Sequence, residues 1–162
     1  MKTGAMLSPC GTFRYHLYRA WADGASLLFV MLNPSTATAN ENDPTIRRCI
    51  RFGRDLGFAG IEVVNLFAYR TSSPRELRDN GYQVGPLNDR WIQGCTETIV
   101  AEGGEVVVAW GAPGAGLARR VDVLRLIERA GGRAMCLGRT KLGEPRHPLM
   151  LAASCRLEPF LE

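Results

Sequence analysis

Four positions along this chain carry side chains that could bind or react with a planar, hydrogen-bonding ligand. Asn33, Asn65 and the pair Trp110-Gly111 each come at the end of an apolar run, and His147 follows a fourth run by about the length of a loop. An asparagine side chain offers both a donor and an acceptor, so it can pair with the amide-like edge of a pyrimidine or orient a water molecule. A neutral imidazole can donate to the negative charge on a departing base, which lowers the barrier to breaking a glycosidic bond. These residue types therefore suit a nucleobase.

The segments that would position these side chains alternate between strand and helix. Apolar runs predict strands over residues 27–32, 61–67, 105–110 and 133–137, and helical patterns begin at Asp43-Pro44, at the capping box of residues 73–76, near Leu87 and around Leu117. This alternation predicts an α/β fold with three layers, α/β/α, around a central, mainly parallel sheet of four strands. The carboxyl ends of such strands open onto one crevice, so we expect the four positions to converge there.

A further strand is predicted ahead of the central sheet, over residues 12–21. A turn signal at residues 8–11 precedes it, and Asp23-Gly24 marks a turn before the next apolar run. Together these signals indicate an N-terminal β-hairpin. We assign His16 to this strand without a function.

Length and composition indicate one domain over residues 1–162 with a packed core. The 162 residues are 46% hydrophobic and 22% charged, and the formal net charge of +4 is compatible with a polyanionic partner without establishing one. With no C-x-x-C pair among five cysteines and only two histidines, we expect no metal site and no cofactor. No window approaches the ~18 apolar residues of a membrane span, which predicts a cytoplasmic protein without membrane contact.

Several of the candidate residues have a structural explanation beside the functional one. Asn33 could serve only to favour the loop conformation before a proline, and Asn65 could make a structural hydrogen bond inside an apolar strand. Asp43 is placed to cap the following helix, and it is also a candidate general base. Arg47 belongs to a basic stripe on that helix, which is as compatible with a solvated face as with phosphate contacts. The sequence leaves these alternatives open.

Four short motifs resemble, in type and order, those of the uracil-DNA glycosylase superfamily. Residues 31–35 (M-L-N-P-S) resemble the water-activating motif G-I-N-P-G of its mismatch-specific branch, and residues 63–66 (V-V-N-L) resemble a base-reading strand that ends L-L-L-N. Residues 108–111 (V-A-W-G) resemble L-L-W-G, and residues 147–149 (H-P-L) resemble a histidine loop that begins H-P-S. The resemblance implies the superfamily's fold and its chemistry, the excision of a base from DNA.

A closer resemblance, over nearly the whole chain, is to a bacterial and phage family of proteins of unknown function. It rests on six motifs that occur in this order: L-N-P-S-T-A, D-P-T-I-R-R, N-L-F-A, V-G-P-x-N-D, W-G and R-H-P. We therefore identify the chain as a member of that family.

The resemblance to the glycosylases implies a role for each residue of the pocket. Asn33, together with Asp43, would orient the attacking water. Asn65 would read the edge of the base, and His147 would donate to the departing base. Ser35 stands where the uracil enzymes have a tyrosine that excludes 5-substituted pyrimidines, which implies a roomier pocket.

Contacts to DNA are also implied by the resemblance. Phe67 is the nearest aromatic candidate for stacking on the base. The histidine loop lacks the serine that normally touches phosphate, so Arg146, Ser35, Thr36 and the amides at the start of the helix that begins at Pro44 would supply that contact. Arg47 on the same helix is a further candidate for DNA binding.

The predicted function is metal-free, monofunctional hydrolysis of the N-glycosidic bond of a base flipped out of double-stranded DNA. The base would be a modified pyrimidine, such as a hydroxymethylated or glucosylated base of phage DNA, or uracil. The enzyme would act as a monomer in antiphage defence or in DNA repair.

Two other functions fit the same residues. One is a hydrolase or transferase that acts on free nucleosides or nucleotides, which weak affinity for the DNA backbone and activity on a mononucleotide would favour. The other is a non-catalytic module that binds modified DNA, which binding without abasic product would favour.

Overall fold

A seven-stranded mixed sheet forms the centre of the protein in a computed structural model that describes residues 1–160. Its strands are β1 (Lys2–Leu7), β2 (Arg14–Ala20), β3 (Ser26–Met31), β4 (Gly60–Asn65), β5 (Glu105–Val108), β6 (Ala134–Cys136) and β7 (Glu158–Pro159). The helices of the same 160 residues are α1 (Pro44–Asp55), α2 (Pro74–Asp79), α3 (Asn88–Ala101) and α4 (Arg119–Arg129). Residues 161 and 162 of the predicted domain lie outside the described residues.

Four neighbouring strands at the middle of the sheet are parallel. The sheet order is β1-β2-β4-β3-β5-β6-β7, and parallel pairing joins β4 to β3, β3 to β5, and β5 to β6. The predicted α/β class and its parallel central strands are confirmed. The predicted sheet of four strands was too small, because antiparallel strands extend both edges: β1 and β2 on one side and β7 on the other.

The N-terminal β-hairpin consists of β1 and β2. Lys2 pairs with Ala20 at its open end, and β2 continues into the sheet by pairing antiparallel with β4. No apolar run marked β1 in the sequence, because an edge strand whose residues are all exposed or half-buried needs none. The same reason applies to β7, whose two residues are both exposed.

Helices cover both faces of the sheet, as the predicted three layers require. Side chains of β3 alternate between the faces: Leu28 and Val30 enter one hydrophobic core, whereas Leu27, Phe29 and Met31 enter the other. The first core is closed by residues of α2, α3 and α4, namely Leu77, Ile92, Ile99, Val123 and Ile127. The second is closed by Ile46, Cys49 and Phe52 of α1. Because both faces are covered, the central strands are mainly apolar, with Glu62 and Asn65 as the polar residues of β4.

The first two helices begin at their predicted caps. Asp43 accepts a hydrogen bond from the backbone of Ile46 at the start of α1, and Ser73 accepts one from Glu76 at the start of α2. Within the part of the chain that the structure describes, no helix combines the length and the apolarity needed to cross a membrane.

Candidate functional site

A cavity of about 520 Å³ opens at the carboxyl ends of the parallel strands. Asn33 reaches it from the loop after β3, Asn65 from the end of β4, and Trp110-Gly111 from the loop after β5. His147 lines the same cavity from the loop that follows β6. The structure thus brings together the four positions that the sequence placed at successive strand ends.

The amide nitrogen of Asn33 is held by three backbone carbonyls. Its Nδ2 donates to the oxygens of Thr71 at 2.8 Å, Pro34 at 3.1 Å and Tyr69 at 3.4 Å. The Oδ1 of the same amide takes no part in these three bonds with the described residues, and it lies on the side of the planar group opposite to Nδ2. The contacts fix the orientation of the side chain and leave an acceptor for a water molecule or ligand in the cavity.

Asn65 lines the cavity and carries a buried acceptor. Its side chain is 2% exposed, and its Oδ1 has no hydrogen-bond partner among the described residues. The backbone carbonyl of Asn65, by contrast, accepts from the Nδ2 of Asn88 at 2.9 Å. An unsatisfied buried polar group costs about 1–3 kcal/mol, so a bound ligand that donates to this Oδ1 would recover that free energy.

His147 is held as a neutral imidazole with its proton on Nε2. Its Nδ1 accepts a hydrogen bond from the backbone N–H of Leu149 at 3.2 Å, so in the neutral ring Nε2 carries the hydrogen. Burial lowers the pKa of His147 below its ordinary value of 6.5, and the charge of Asp43 opposes that shift. The ring is therefore uncharged at neutral pH and has one donor available.

Close packing of two loops positions this histidine. Gly111 has a φ of +73°, and its N–H donates to the Pro145 carbonyl at 2.9 Å. A Cβ on Gly111 would lie 3.2 Å from the Cβ of His147, so a larger residue would push the histidine loop away from the end of β5. The glycine permits both the backbone conformation and the approach.

Trp110 is oriented by a buried carboxylate. Its Nε1 donates to Oε2 of Glu144 at 2.7 Å, and the other oxygen of Glu144 accepts from the guanidinium of Arg120. Glu144 is buried, so this network holds the indole that lines the cavity. No local pattern in the sequence marked Glu144, because its partners are 34 and 24 residues away along the chain.

Asp43 lines the cavity, and both of its carboxylate oxygens accept from the backbone. Oδ1 accepts from the N–H of Ile46 at 2.8 Å, and Oδ2 accepts from the N–H of Ala37 at 3.2 Å. These contacts link the start of α1 to the middle of the loop between β3 and α1. The geometry favours the capping role of Asp43 over that of a general base.

Arg14 is a cavity residue that the sequence analysis missed. It lies at the start of β2, and because β2 runs antiparallel to β4, this position is beside the carboxyl end of β4. The Arg14 side chain is 3% exposed and lines the cavity. Alternation along β2 did not mark this position, because it puts Arg14 in phase with half-buried His16 and exposed Tyr18. The register of β2 against β1 shifts between His16 and Arg14, so the buried position of Arg14 depends on an irregularity of the strand.

The predicted DNA-contacting residues divide between the cavity and the outer surface. Ser35 and Arg146 line the cavity, and Arg146 is exposed at its edge. Thr36 and Arg47 are exposed and do not line it; the guanidinium of Arg47 donates to the Asn42 carbonyl at 2.7 Å. Only the first two can touch a ligand inside the cavity.

The structure does not bring Phe67 into the cavity. Its side chain is buried in the core, where its ring packs against that of Tyr82 at 5.3 Å. The reason is that the strand ends before Phe67, so the alternation of an extended chain no longer holds there, and Phe67 enters the same core as Val64 and Leu66. Since Asn65 faces the cavity, the residue two positions on would share that side only if the strand continued, and β4 ends at Asn65. Trp110 is the aromatic residue of this site.

Three side chains that could hold a metal lie together elsewhere. Nε2 of His16, a carboxylate oxygen of Glu62 and Sγ of Cys95 all lie within 4.8 Å of one another, beside a second cavity of about 440 Å³. His16 and Glu62 already form a hydrogen bond of 2.7 Å. Burial, followed by the charge of Glu62, raises the pKa of Cys95, and a protonated thiol is a poor metal ligand. These contacts explain the cluster as a hydrogen-bonded group.

Comparison with known proteins identifies a family but no activity. A model of the DUF1643 family, described as proteins of unknown function, matches residues 14–149. No curated protein and no solved structure matches the chain. The matched segment runs from Arg14 through the histidine loop and so includes nearly every residue that lines the larger cavity. The chain belongs to the DUF1643 family.

Proposed function

We propose that the protein is a DNA N-glycosylase that hydrolyses the glycosidic bond of a flipped base, most suitably a modified pyrimidine. The observation that carries this proposal is the meeting of Asn33, Asn65 and a neutral His147 in one cavity. A volume of about 520 Å³ is in the range of small-molecule sites and is ample for a pyrimidine with its sugar. The order of motifs shared with the uracil-DNA glycosylase superfamily supports the same chemistry.

Each of these three residues has an atom suited to one part of the reaction. The Oδ1 of Asn33 orients a water whose oxygen attacks C1′ of the sugar as the bond from C1′ to the base nitrogen breaks. The bonding electrons leave with the base, and Nε2–H of His147 donates a hydrogen bond to the base oxygen that becomes negative. The attacking water releases its proton to solvent. Asn65 accepts from an N–H of the base and so selects its edge.

The choice of a modified pyrimidine rests on the space beside Ser35. This serine lines the cavity at the position where the resemblance implies a bulky tyrosine in the uracil enzymes. A serine leaves room for a substituent on C5 of the base. Hydroxymethylated and glucosylated pyrimidines are therefore the first substrates to test, beside uracil.

The surface around the cavity mouth fits a DNA partner. Leu149 and Met150 are adjacent apolar residues that line the cavity, and they are 45% and 85% exposed. Apolar side chains of this kind can insert between base steps and occupy the space that a flipped base leaves. Arg146 is exposed at the same edge, where it can contact phosphate.

The test is the formation of abasic sites. The pure protein is incubated with duplexes that carry uracil, thymine mismatches, or hydroxymethylated or glucosylated pyrimidines, and alkali then cleaves any abasic site. We expect cleavage of at least one duplex, and a loss of about 100-fold or more in the Asn33→Ala variant. Asn80→Ala is the matched control, because it removes an exposed amide at the end of α2. The proposal fails if no duplex yields abasic sites above the Asn33→Ala level.

A further inference from the structure

A buried positive charge lies at the wall of the cavity without an ion-pair partner. Arg14 forms no ion pair with a carboxylate of residues 1–160. Its Nη1 donates to the Ala37 carbonyl at 2.9 Å, and its buried Nε has no hydrogen-bond partner among those residues. Burying a guanidinium costs free energy unless charge and hydrogen bonds compensate it, so this arrangement is incomplete without a further acceptor.

The surroundings of Arg14 do not neutralise it. Burial lowers the pKa of Arg14 to about 10, Asp43 opposes that shift, and the nearby charges of Arg70 and Arg19 add to it. The group therefore stays positively charged at neutral pH. Asp43 is the one negative charge that acts on it among the described residues, and the carboxylate of Asp43 is already held by two backbone N–H groups. The net charge around the Arg14 guanidinium is therefore positive.

Arg14 also lies beside Asn65, whose unpaired atom is an acceptor whereas the unpaired atom of Arg14 is a donor. Leu17 pairs with Val63 across β2 and β4, so the start of β2 lies next to Asn65 at the end of β4. Both residues line the cavity, and each has a buried polar atom without a partner among residues 1–160, a donor in Arg14 and an acceptor in Asn65. One ligand edge that offers an acceptor and a donor would satisfy both.

We propose that Arg14 is the anion-binding residue of the cavity and that its guanidinium holds an anionic oxygen of the ligand. This inference rests on the proposed function, in which negative charge develops on an oxygen of the departing base. Arg14 then contacts that oxygen and stabilises its charge, while Asn65 accepts from the neighbouring N–H. A phosphate oxygen has the same chemistry, and the test separates the two sources.

The test compares three small probes by isothermal titration calorimetry with the full chain. Barbiturate is a pyrimidine that is anionic at neutral pH, uracil is a neutral pyrimidine of similar shape, and inorganic phosphate is an anion without a ring. The variants are Arg14→Met, which removes the charge, and Arg14→Lys, which keeps it. Arg133→Met is the matched control, because Arg133 is exposed beside the amino end of β6. Thermal unfolding checks that each variant is folded.

We expect barbiturate to bind at least about tenfold more tightly than uracil, because a hydrogen bond to a charged group is roughly twice as strong as a neutral one. Arg14→Met should abolish this preference, Arg14→Lys should keep part of it, and Arg133→Met should leave it unchanged. If Arg14→Met does not fold, the Arg14→Lys variant and the wild-type comparison of barbiturate with uracil still test the inference. Equal binding of barbiturate and uracil without Arg14-dependent binding of phosphate, or a preference for barbiturate that survives Arg14→Met, would overturn it.

The binding of inorganic phosphate shows whether the anionic oxygen belongs to the base or to a phosphate group. If phosphate binds weakly and does not displace barbiturate, the oxygen belongs to the base. If phosphate binds more tightly than barbiturate and this binding is lost in Arg14→Met, the anion site stands and the oxygen belongs to a phosphate group. Arg14-dependent anion binding without abasic product from any duplex would refute the glycosylase alone. Abasic product without anion selectivity would refute the role of Arg14 alone.

Discussion

Replacing Asp43 with alanine should destabilise the fold without removing the chemistry of the site. The N-cap hydrogen bond to Ile46, 2.8 Å long, is worth about 1 kcal/mol. The hydrogen bond from Ala37 to the charged carboxylate, 3.2 Å long, is worth about 1.5 kcal/mol. We therefore expect the free energy of unfolding to fall by about 2.5 kcal/mol. For a domain of this size that corresponds to a decrease of about 5–10 °C in Tm.

A serine at the same position distinguishes the capping role of Asp43 from any role of its negative charge. Asp43→Ser keeps an acceptor for the N–H of Ile46 but loses the bond from Ala37, so it should recover about 1 kcal/mol relative to Asp43→Ala. Both variants lose the attraction between Asp43 and Arg14, so this effect cancels in the comparison. Urea denaturation gives the two stabilities, and single-turnover excision well below Tm gives the activities.

The excision activity of Asp43→Ser decides whether Asp43 is a helix cap or a general base. If Asp43→Ser retains most of the stability but loses excision as completely as Asn33→Ala, the carboxylate acts as the general base and its backbone contacts are secondary. If Asp43→Ser excises at a rate close to that of the wild type, Asp43 is a structural cap.

Three further outcomes are expected. Burial lowers the pKa of His147 below 6.5, so the unfolded chain binds this proton first as the pH falls. The free energy of unfolding is therefore unaffected by this histidine above pH 6.5 and is lowered by it below pH 6.5. In urea denaturation, His147→Gln should therefore lose less stability between pH 7 and pH 5 than the wild type does. An unaltered pH profile in this variant would argue against a buried neutral ring. Glu144→Ala should lower the free energy of unfolding by about 2–3 kcal/mol, because it frees Trp110 and Arg120 together; a loss within about 0.5 kcal/mol, as at an ordinary surface position, would contradict this. Met150→Ala should slow excision from duplex DNA more than from single strands, since only a duplex requires the flipped base to be replaced in the stack; equal effects on both would count against the wedge.

The central part of the fold could be predicted from sequence because its elements are specified locally. The parallel strands are largely buried on both faces, so each is marked by a mainly apolar run, and α1 and α2 begin at side chains that cap them. The edge strands β1 and β7 carry no such signal, since the hydrogen bonds of a partner strand, rather than their own side chains, specify them. These two strands were missed, and β2, which was predicted as part of a separate hairpin, also joins the sheet, so the sheet has seven strands instead of four.

The candidate site, like the fold, could be predicted from the sequence only in part. The positions of Asn33, Asn65 and His147 follow from where strands end, and parallel topology alone places such ends at one edge. What these side chains can do is decided by contacts that no local pattern contains, such as the carbonyls around Asn33 and the bond that fixes the His147 tautomer.

The chain by itself thus determined the fold class, the family motifs and the set of strand-end residues, because period, capping and order are local properties of a sequence. Only the tertiary structure decided that Arg14 enters the cavity and that Phe67 does not. The physical reason is that burial, charge pairing and the direction of a side chain after a strand ends depend on residues distant along the chain. Arg14 illustrates this, since its contacts come from residues 37 and 43 and its neighbour across the sheet is at the end of β4.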